Sequence, residues 1–334
     1  MCYSAQIEAN YKRYVRLFGA DISLKEFVAL YWTRAQGAKI RIPKAMDAAF
    51  AEPANADERE IARLIAEFNA QESARLEQEL FKQRKRLADA ERTLRTKTTK
   101  AATESKRIAT DKVAWCLEKL AALRRRELVP DDARIFPGWY APLLVTVEGH
   151  RVVRPMRYQC RIAGAAPNVD VKFPGTYNAR RDNLEGYWRR QFGVAHGVLL
   201  ASAFFENVSR HRVEQRELAP GEAEQNIVLE FRPRPAQDML VACLWSHWQG
   251  APDETLDSFA AITDDPPPEV ATTGHDRCIV PIKPENLDAW LTPAGRGAPA
   301  LYAILDDRAK PYYEHRLAAQ GAIRQRSDFT ASNA

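Results

Sequence analysis

Met1-Cys2-Tyr3-Ser4 opens the chain, and Cys2 is the residue whose position allows the least ordinary chemistry. An initiator Met before a small residue is expected to be trimmed. Cys2 would then carry a free α-amine and a thiol on one Cα. Few reactions need both groups there. One is condensation with an aldehyde: the amine forms a Schiff base, then the sulfur closes a five-membered thiazolidine. A chance cysteine on a frayed terminus is the ordinary alternative. Four segments much further along carry the other candidates: Tyr177-Asn178-Ala179-Arg180, Phe204-Phe205-Glu206-Asn207, Trp245-Ser246-His247-Trp248 and Thr273-Gly274-His275-Asp276-Arg277. Taken singly, each has a bland explanation. Glu206 suits a strand end, His275 a surface ion pair with Asp276 and Arg277, Asn178 a turn or helix cap, and Trp245 and Trp248 a core.

The chain that must position these side chains has 334 residues, enough for one large domain plus an insertion. Its net charge of +5 is the small difference between 49 basic and 44 acidic residues, so it does not by itself demand a nucleic-acid partner. No run approaches the roughly 18 consecutive apolar residues of a membrane span. The start lacks the apolar segment of a secretory signal, so a cytoplasmic protein is expected. The five cysteines form no Cys-x-x-Cys pair, which argues against a disulfide framework or a zinc site. Cys116, Cys160, Cys243 and Cys278 read as small apolar core residues. The six histidines show no ligand-like spacing with cysteine, and no metal or cofactor is expected.

Four zones follow: 1–20, which carries Cys2; 21–128, helical; 129–315, the core; and 316–334, a polar tail. Ser23 with Glu26 three residues on forms a helix-start signal. From 57 to 126 there is no Gly or Pro, and charges are dense. Leu80, Leu87, Leu94, Ala101, Ile108 and Trp115 recur every seven residues, half of a coiled-coil seam. The companion positions Glu77, Arg84, Glu91 and Thr98 are polar. Thr96-Lys97-Thr98-Thr99 marks a break that would fold the zone into a helical hairpin, read either as a solvated arm or as a docking surface for DNA or a partner. In the core zone, Leu143 to Val147, the turn Glu148-Gly149 and Val152-Val153 predict a β-hairpin. Further strands are expected at 198–200, 227–231 and 239–244, and helices at 183–190 and 284–291. Short strands between turns imply an antiparallel sheet system with few helices, hence an α+β class.

Together with Cys2 these segments resemble the SOS response-associated peptidase (SRAP) family, whose members protect abasic sites in single-stranded DNA. The matches run in order: Met1-Cys2, Met156-Arg157-Tyr158, Asn178-Ala179-Arg180, Phe204-Phe205-Glu206, Leu244-Trp245 to Trp248, His275-Asp276-Arg277 and Ala289-Trp290-Leu291. Tyr3-Ser4, Asn207 and Cys278-Ile279 depart from the family pattern, which has Gly-Arg after the Cys, Trp after the Glu and Met-Pro after His-Asp-Arg. The resemblance implies a barrel-like antiparallel core with 21–128 as a long helical insertion. It also implies roles. Cys2 would be the nucleophile, and His275 a general acid on the sugar ring oxygen. Glu206 would shuttle protons, and Asn178 would hold the chain start or the sugar. Arg180 would contact phosphates, with Arg157 weaker for the same work and Arg181, Arg189 and Arg190 extending a basic track or simply facing solvent.

The function expected is covalent capture of abasic sites in single-stranded DNA through Cys2, a lyase-like reaction that shields the lesion. An α-amine of pKa about 7.7–8.0 is partly neutral near pH 7.5, unlike a lysine at about 10.4. Binding should come from a basic groove with aromatic stacking, with weak sequence preference and strong salt dependence. Two other readings stand beside it. One is a cysteine-type peptidase whose least activity is removal of its own Met1. The other is a non-catalytic DNA-binding protein. The sequence names no protein partner.

Overall fold

A computed structural model describes residues 3–251 and 254–318. Cys2 and the tail from 319 lie outside the described residues. The strands are β1 (Ser4–Ile7), β2 (Asp21–Ile22), β3 (Arg134–Ile135), β4 (Tyr140–Val147), β5 (His150–Tyr158), β6 (Asn178–Arg180), β7 (His196–Ser209), β8 (Asn226–Arg234), β9 (Met239–Gln249), β10 (Thr255–Asp264), β11 (Cys278–Ile279), β12 (Pro281–Ile282) and β13 (Tyr312–Leu317). The helices used below are α1 (Tyr11–Phe18), α2 (Leu24–Ala35), α3 (Lys44–Ala48), α4 (Ala56–Thr96) and α5 (Lys100–Arg124). The chain divides into two compact units: Met1–Phe27, Ile40–Glu52 and Val129–Ala334 in one, Val28–Lys39 and Pro53–Leu128 in the other.

In the first unit a closed circuit of five strands forms a barrel. Strand β4 pairs antiparallel with β5, β5 parallel with β10, β10 antiparallel with β9, β9 antiparallel with β7, and β7 antiparallel with β4. Closure leaves these strands without an open edge over the paired stretch. The β4–β5 connection is the two-residue turn Glu148-Gly149, both at positive φ, which matches the strand twist. Strands β4 and β7 approach so closely that a Cβ on Gly197 would stand 2.7 Å from Leu143 Cδ2. Strand β10 was not expected. Its centre, Ser258-Phe259-Ala260-Ala261, is buried on both faces but consists mostly of small residues, so it carries neither alternation nor a strong apolar run.

Strand β7 is 14 residues long and changes neighbours part-way. Its first half, to Ala201, pairs with β9 and β4 inside the barrel. Its second half pairs with β1 on one edge (Ser4↔Phe205) and with β8 on the other (Glu206↔Leu229). Strand β3 extends beyond β1, and β13 beyond β8. Of the two helices expected in this unit, 284–291 folds as a 3-10 turn followed by a short α-helix at Leu287–Leu291. The other, 183–190, forms consecutive turns instead. The Asn183 carboxamide accepts from Tyr187 N at 3.1 Å and so competes with the helical bonding of its own backbone. Helix α1 was not expected, although Asn10 caps its start and Gly19, in the left-handed region, ends it.

The second unit is dominated by α4, 41 residues and about 60 Å long, and α5, 25 residues. The break falls at residues 97–99. Thr99 Oγ1 caps α5 by accepting from Ala102 N at 3.1 Å. At the other end, Asn55 caps α4, and Glu58 reaches back to Ala54 N at 2.8 Å. Glu91 with Lys106 and Glu77 with Arg124 pair the helices antiparallel. The seam differs from the expected one. Leu80 is buried, but its companions on α4 are Leu76, Gln83 and Ala90, not Glu77, Arg84 and Glu91. On α5, Ala102, Ala109 and Cys116 keep the seven-residue step, with Leu120 beside them, whereas Ala101 is exposed and Ile108 and Trp115 are only partly covered. Leu76, Leu80, Cys116 and Leu120 form its core cluster. Among the described residues no helix is long and apolar enough to cross a membrane.

Candidate active site

Glu206 is fully buried, with a relative exposure of 0%. It sits in the second half of β7, past the barrel circuit. The two rings before it fix the strand. Phe204 stacks on Phe231 at 5.0 Å and meets Tyr313 edge-on. Phe205 packs with Ala203, Val228 and Ala318 under the guanidinium of Arg134, 3.6 Å from its ring centre. A buried carboxylate is costly unless a partner compensates it. His275 supplies that partner, with Nε2 2.9 Å from Glu206 Oε2.

His275 is held from behind. Gly274, at φ +83, lets the chain reverse after a short helix at Pro268–Ala271; a Cβ there would also meet Arg212 Cδ at 2.8 Å. The imidazole Nδ1 lies 2.8 Å from Arg277 O and 3.3 Å from Arg277 N. The shorter contact decides the tautomer, because a carbonyl oxygen only accepts. Nδ1 therefore carries a hydrogen and donates it. Nε2 is left facing the Glu206 carboxyl group. Cys278 adjoins the pair: burial first, then the Glu206 charge, push its thiol well above the ordinary range. Cys116, Cys160 and Cys243 are buried as well, and burial pushes the Cys160 thiol up to about 12.

Asn178 begins β6, which runs parallel to β10 with Ala261↔Asn178 in register. On the opposite edge of β10, β11 pairs at Asp264↔Cys278. The carboxyl end of β10 therefore lies between the Asn178 strand and the strand that follows His275. Arg277 bonds Asp182 across this end at 3.3 Å. Asn178 is buried at 6% exposure, and neither atom of its carboxamide has a hydrogen-bond partner among the described residues. Such a group costs about 1–3 kcal/mol until something pairs with it.

Cys2 itself lies outside the described residues, but the residues that follow it approach this cluster. Ser4, opposite Phe205, is fully buried, and its Oγ accepts from Arg134 Nε at 3.0 Å and Nη2 at 2.8 Å. The Tyr3 ring meets Tyr177, the neighbour of Asn178, at 6.3 Å and Phe136 at 5.8 Å. The antiparallel register sets Ser4 opposite Phe205, the residue before Glu206. Arg134 was not among the expected site residues. It is a buried cation with no carboxylate in salt-bridge range among the described residues, and burial lowers its pKa to about 10. Its Ser4 partner is 130 residues away in sequence, so no local pattern could announce the pair.

The expected phosphate contacts fall into two groups. Arg180 is half-exposed and bonds Asp182 at 2.5 Å; Arg189 and Arg190 are exposed. Arg157 is mostly buried against Asp170 at 2.8 Å and Gln159 O, while Arg181 bridges Asp264 and Asp306. Those two guanidiniums are occupied by carboxylates. Trp248 and Trp290 are core: their indoles donate to Ala165 O and Gly197 O, respectively. Among the described residues no group of three or more His, Cys, Asp or Glu side chains could hold a metal ion.

Comparison with known proteins adds the family. Residues 68–320 match the family model described as SOS response associated peptidase (SRAP). No curated protein matches the chain. Among solved structures, a protein from Bacteroides thetaiotaomicron is similar at 12% identity and TM-score 0.45, covering 57% of this chain and 79% of that one. A protein from Bordetella bronchiseptica is similar at 16% identity and TM-score 0.43, covering 58% and 90%. A phage-related protein from the same organism is similar at 19% identity and TM-score 0.42, covering 59% and 86%. With more than half of its length matched by the model, this chain belongs to the SOS response associated peptidase (SRAP) family.

Proposed function

We propose that this protein acts in the SOS response to DNA damage by crosslinking covalently, through Cys2, to abasic sites in single-stranded DNA. Family membership supports the damage-response setting. The observation that supports the chemistry is the buried Glu206–His275 pair, 2.9 Å apart, on a strand whose neighbour β1 begins at Ser4, two residues after Cys2.

An abasic sugar equilibrates with a ring-opened aldehyde. His275 donates a proton to the ring oxygen as the ring opens, with Glu206 at its back to replenish it. With Met1 removed, Glu206 accepts a proton from the Cys2 ammonium, and the neutral amine adds to the aldehyde carbon. The resulting carbinolamine takes a proton on its hydroxyl and loses water, which gives the imine. The Cys2 sulfur then adds to the imine carbon, the thiol proton passes to nitrogen, and the ring closes. One aldehyde and one amino-thiol yield one thiazolidine and one water. Asn178, with both amide atoms available, hydrogen-bonds the chain start or the sugar. Arg180 exchanges its exposed Asp182 contact for a phosphate, which costs little because surface pairs are weak.

The test is a denaturing gel of purified protein with a single-stranded abasic oligonucleotide. A shifted band is expected from the wild type and none from Cys2→Ala. No band from protein whose Met1 removal is verified by mass would falsify the proposal.

The family description supports a second reading, that the same thiol and imidazole hydrolyse peptides. Cleavage of a peptide library without DNA, abolished in Cys2→Ala, is the outcome that would favour it.

A further inference from the structure

Charge is unevenly distributed along this chain. Residues 82–107, the distal end of the α4–α5 hairpin, hold ten Lys and Arg against three Asp and Glu, a net of +7 where the whole chain carries +5. All other residues together are therefore slightly acidic. Of the ten cations, Arg92, Lys106 and Arg107 are matched by carboxylates of the hairpin. Lys82, Arg84, Lys85, Arg86, Arg95, Lys97 and Lys100 are exposed, and none has a carboxylate within salt-bridge range among the described residues. The proximal part of α4 is different: Arg63 and Arg75 are each clamped by glutamates three or four residues away. An isolated helix gains by pairing its charges at that spacing. The distal end leaves its cations available to something else.

The available cations also border a concavity. Lys82, Lys85 and Arg86, on one face of α4, line a cleft of about 540 Å³ closed on the other side by Thr99, Ala101 and Ser105 of the opposing helix and turn. The first turn of α5 brings no acidic residue to it. Asp89 is the one carboxylate in its lining.

We infer that this distal end binds the phosphate backbone of duplex DNA. The inference rests on the reading above for DNA being the partner at all, and extends it to a second surface. Lysine and arginine without carboxylates, with threonine hydroxyls between them, match phosphodiesters and carry no sequence code. Duplex is favoured over single strand by what is missing: 82–107 contains no Phe, Tyr or Trp. Exposed Phe81 borders the region, but one ring does not make the succession of stacking platforms that unpaired bases use. The stretch of α4 from 82 to 96 spans about 22 Å, the axial length over which a duplex presents about 13 phosphates.

Fluorescence anisotropy with the full chain and an undamaged 30-base-pair duplex (roughly three helical turns), titrated over a range of salt, tests this. The variant replaces Lys82, Lys85, Arg86, Lys97 and Lys100 with Gln. Loss of three to five phosphate contacts should lower affinity at least about tenfold and make the slope of log K on log salt shallower by about 3 to 4. Arg63→Gln with Arg75→Gln, on the proximal stretch, should bind as the wild type does, and circular dichroism should show the quintuple variant as helical as the wild type. Unchanged affinity and slope in the quintuple variant overturn the inference; so do tighter binding of an RNA duplex and equal loss in the proximal variant. Because the probe has no abasic site, failure here leaves covalent capture standing, and failure of capture leaves this binding standing.

Discussion

At the scale of single residues, the candidate site is built on a buried acid–imidazole pair. Glu206 and His275 lie 2.9 Å apart, both buried, and each is the other's nearest compensation for burial. Glu206→Gln keeps the shape but cannot relay. Capture in the denaturing-gel time course should slow by about 100-fold or more, while non-covalent binding of the same oligonucleotide is retained. His275→Ala leaves a buried carboxylate uncompensated and should cost about 3–5 kcal/mol of stability as well as rate, measured by urea unfolding. Another histidine shows the opposite design. His196 is buried against Trp290, accepts from Gly193 N and donates to Trp290 O, and burial lowers its pKa to about 3. Its unfolded pKa is near 6.5, so the unfolded chain binds the extra proton. Stability from His196 is complete above about pH 6.5 and is lost as pH falls toward 3. Between pH 7.5 and 5.0 this predicts a loss of about 2 kcal/mol by urea unfolding, absent in His196→Gln. Sequence made Glu206, His275 and Asn178 legible because short motifs surround them. It hid Arg134 and Ser4, whose pairing exists only after strands β1 and β3 meet.

At the scale of elements, the helical hairpin was legible and its seam was not. A stretch without Gly or Pro, interrupted by Thr-Lys-Thr-Thr, gives two helices and the break between them. The seam needs both helices at once. Leu80 reads correctly, but whether its partner is Glu77 or Leu76 with Gln83 depends on which side α5 covers. Leu80→Ala should cost about 2–3 kcal/mol, the usual price of a cavity in a small apolar cluster. Deuterium exchange should then quicken at the amides of α4 and α5 while those of the barrel strands stay protected, because the seam belongs to a unit without the barrel. Strand β10 stayed hidden for a related reason: its Ser and Ala residues are small because neighbours press on both faces, and small residues give no pattern.

At the scale of the whole molecule, barrel closure was the least legible feature. Turn chemistry announced the β4–β5 hairpin, but the joins of β5 to β10 and β7 to β4 link segments far apart in sequence. Gly197 marks one join after the fact: Gly197→Ala should destabilise the protein by about 1–3 kcal/mol, since a methyl must displace Leu143, read as a lowered urea midpoint. The same strand that closes the barrel continues into Glu206. Its first half opens only when the barrel opens, so the amides from Val198 to Ala201 belong with the slowest to exchange with deuterium, whereas the half that carries Glu206 is held by β1 and β8. In the proposed reaction, control would therefore lie with what reaches that half, the freed end of the polypeptide and the damaged DNA, independently of barrel closure.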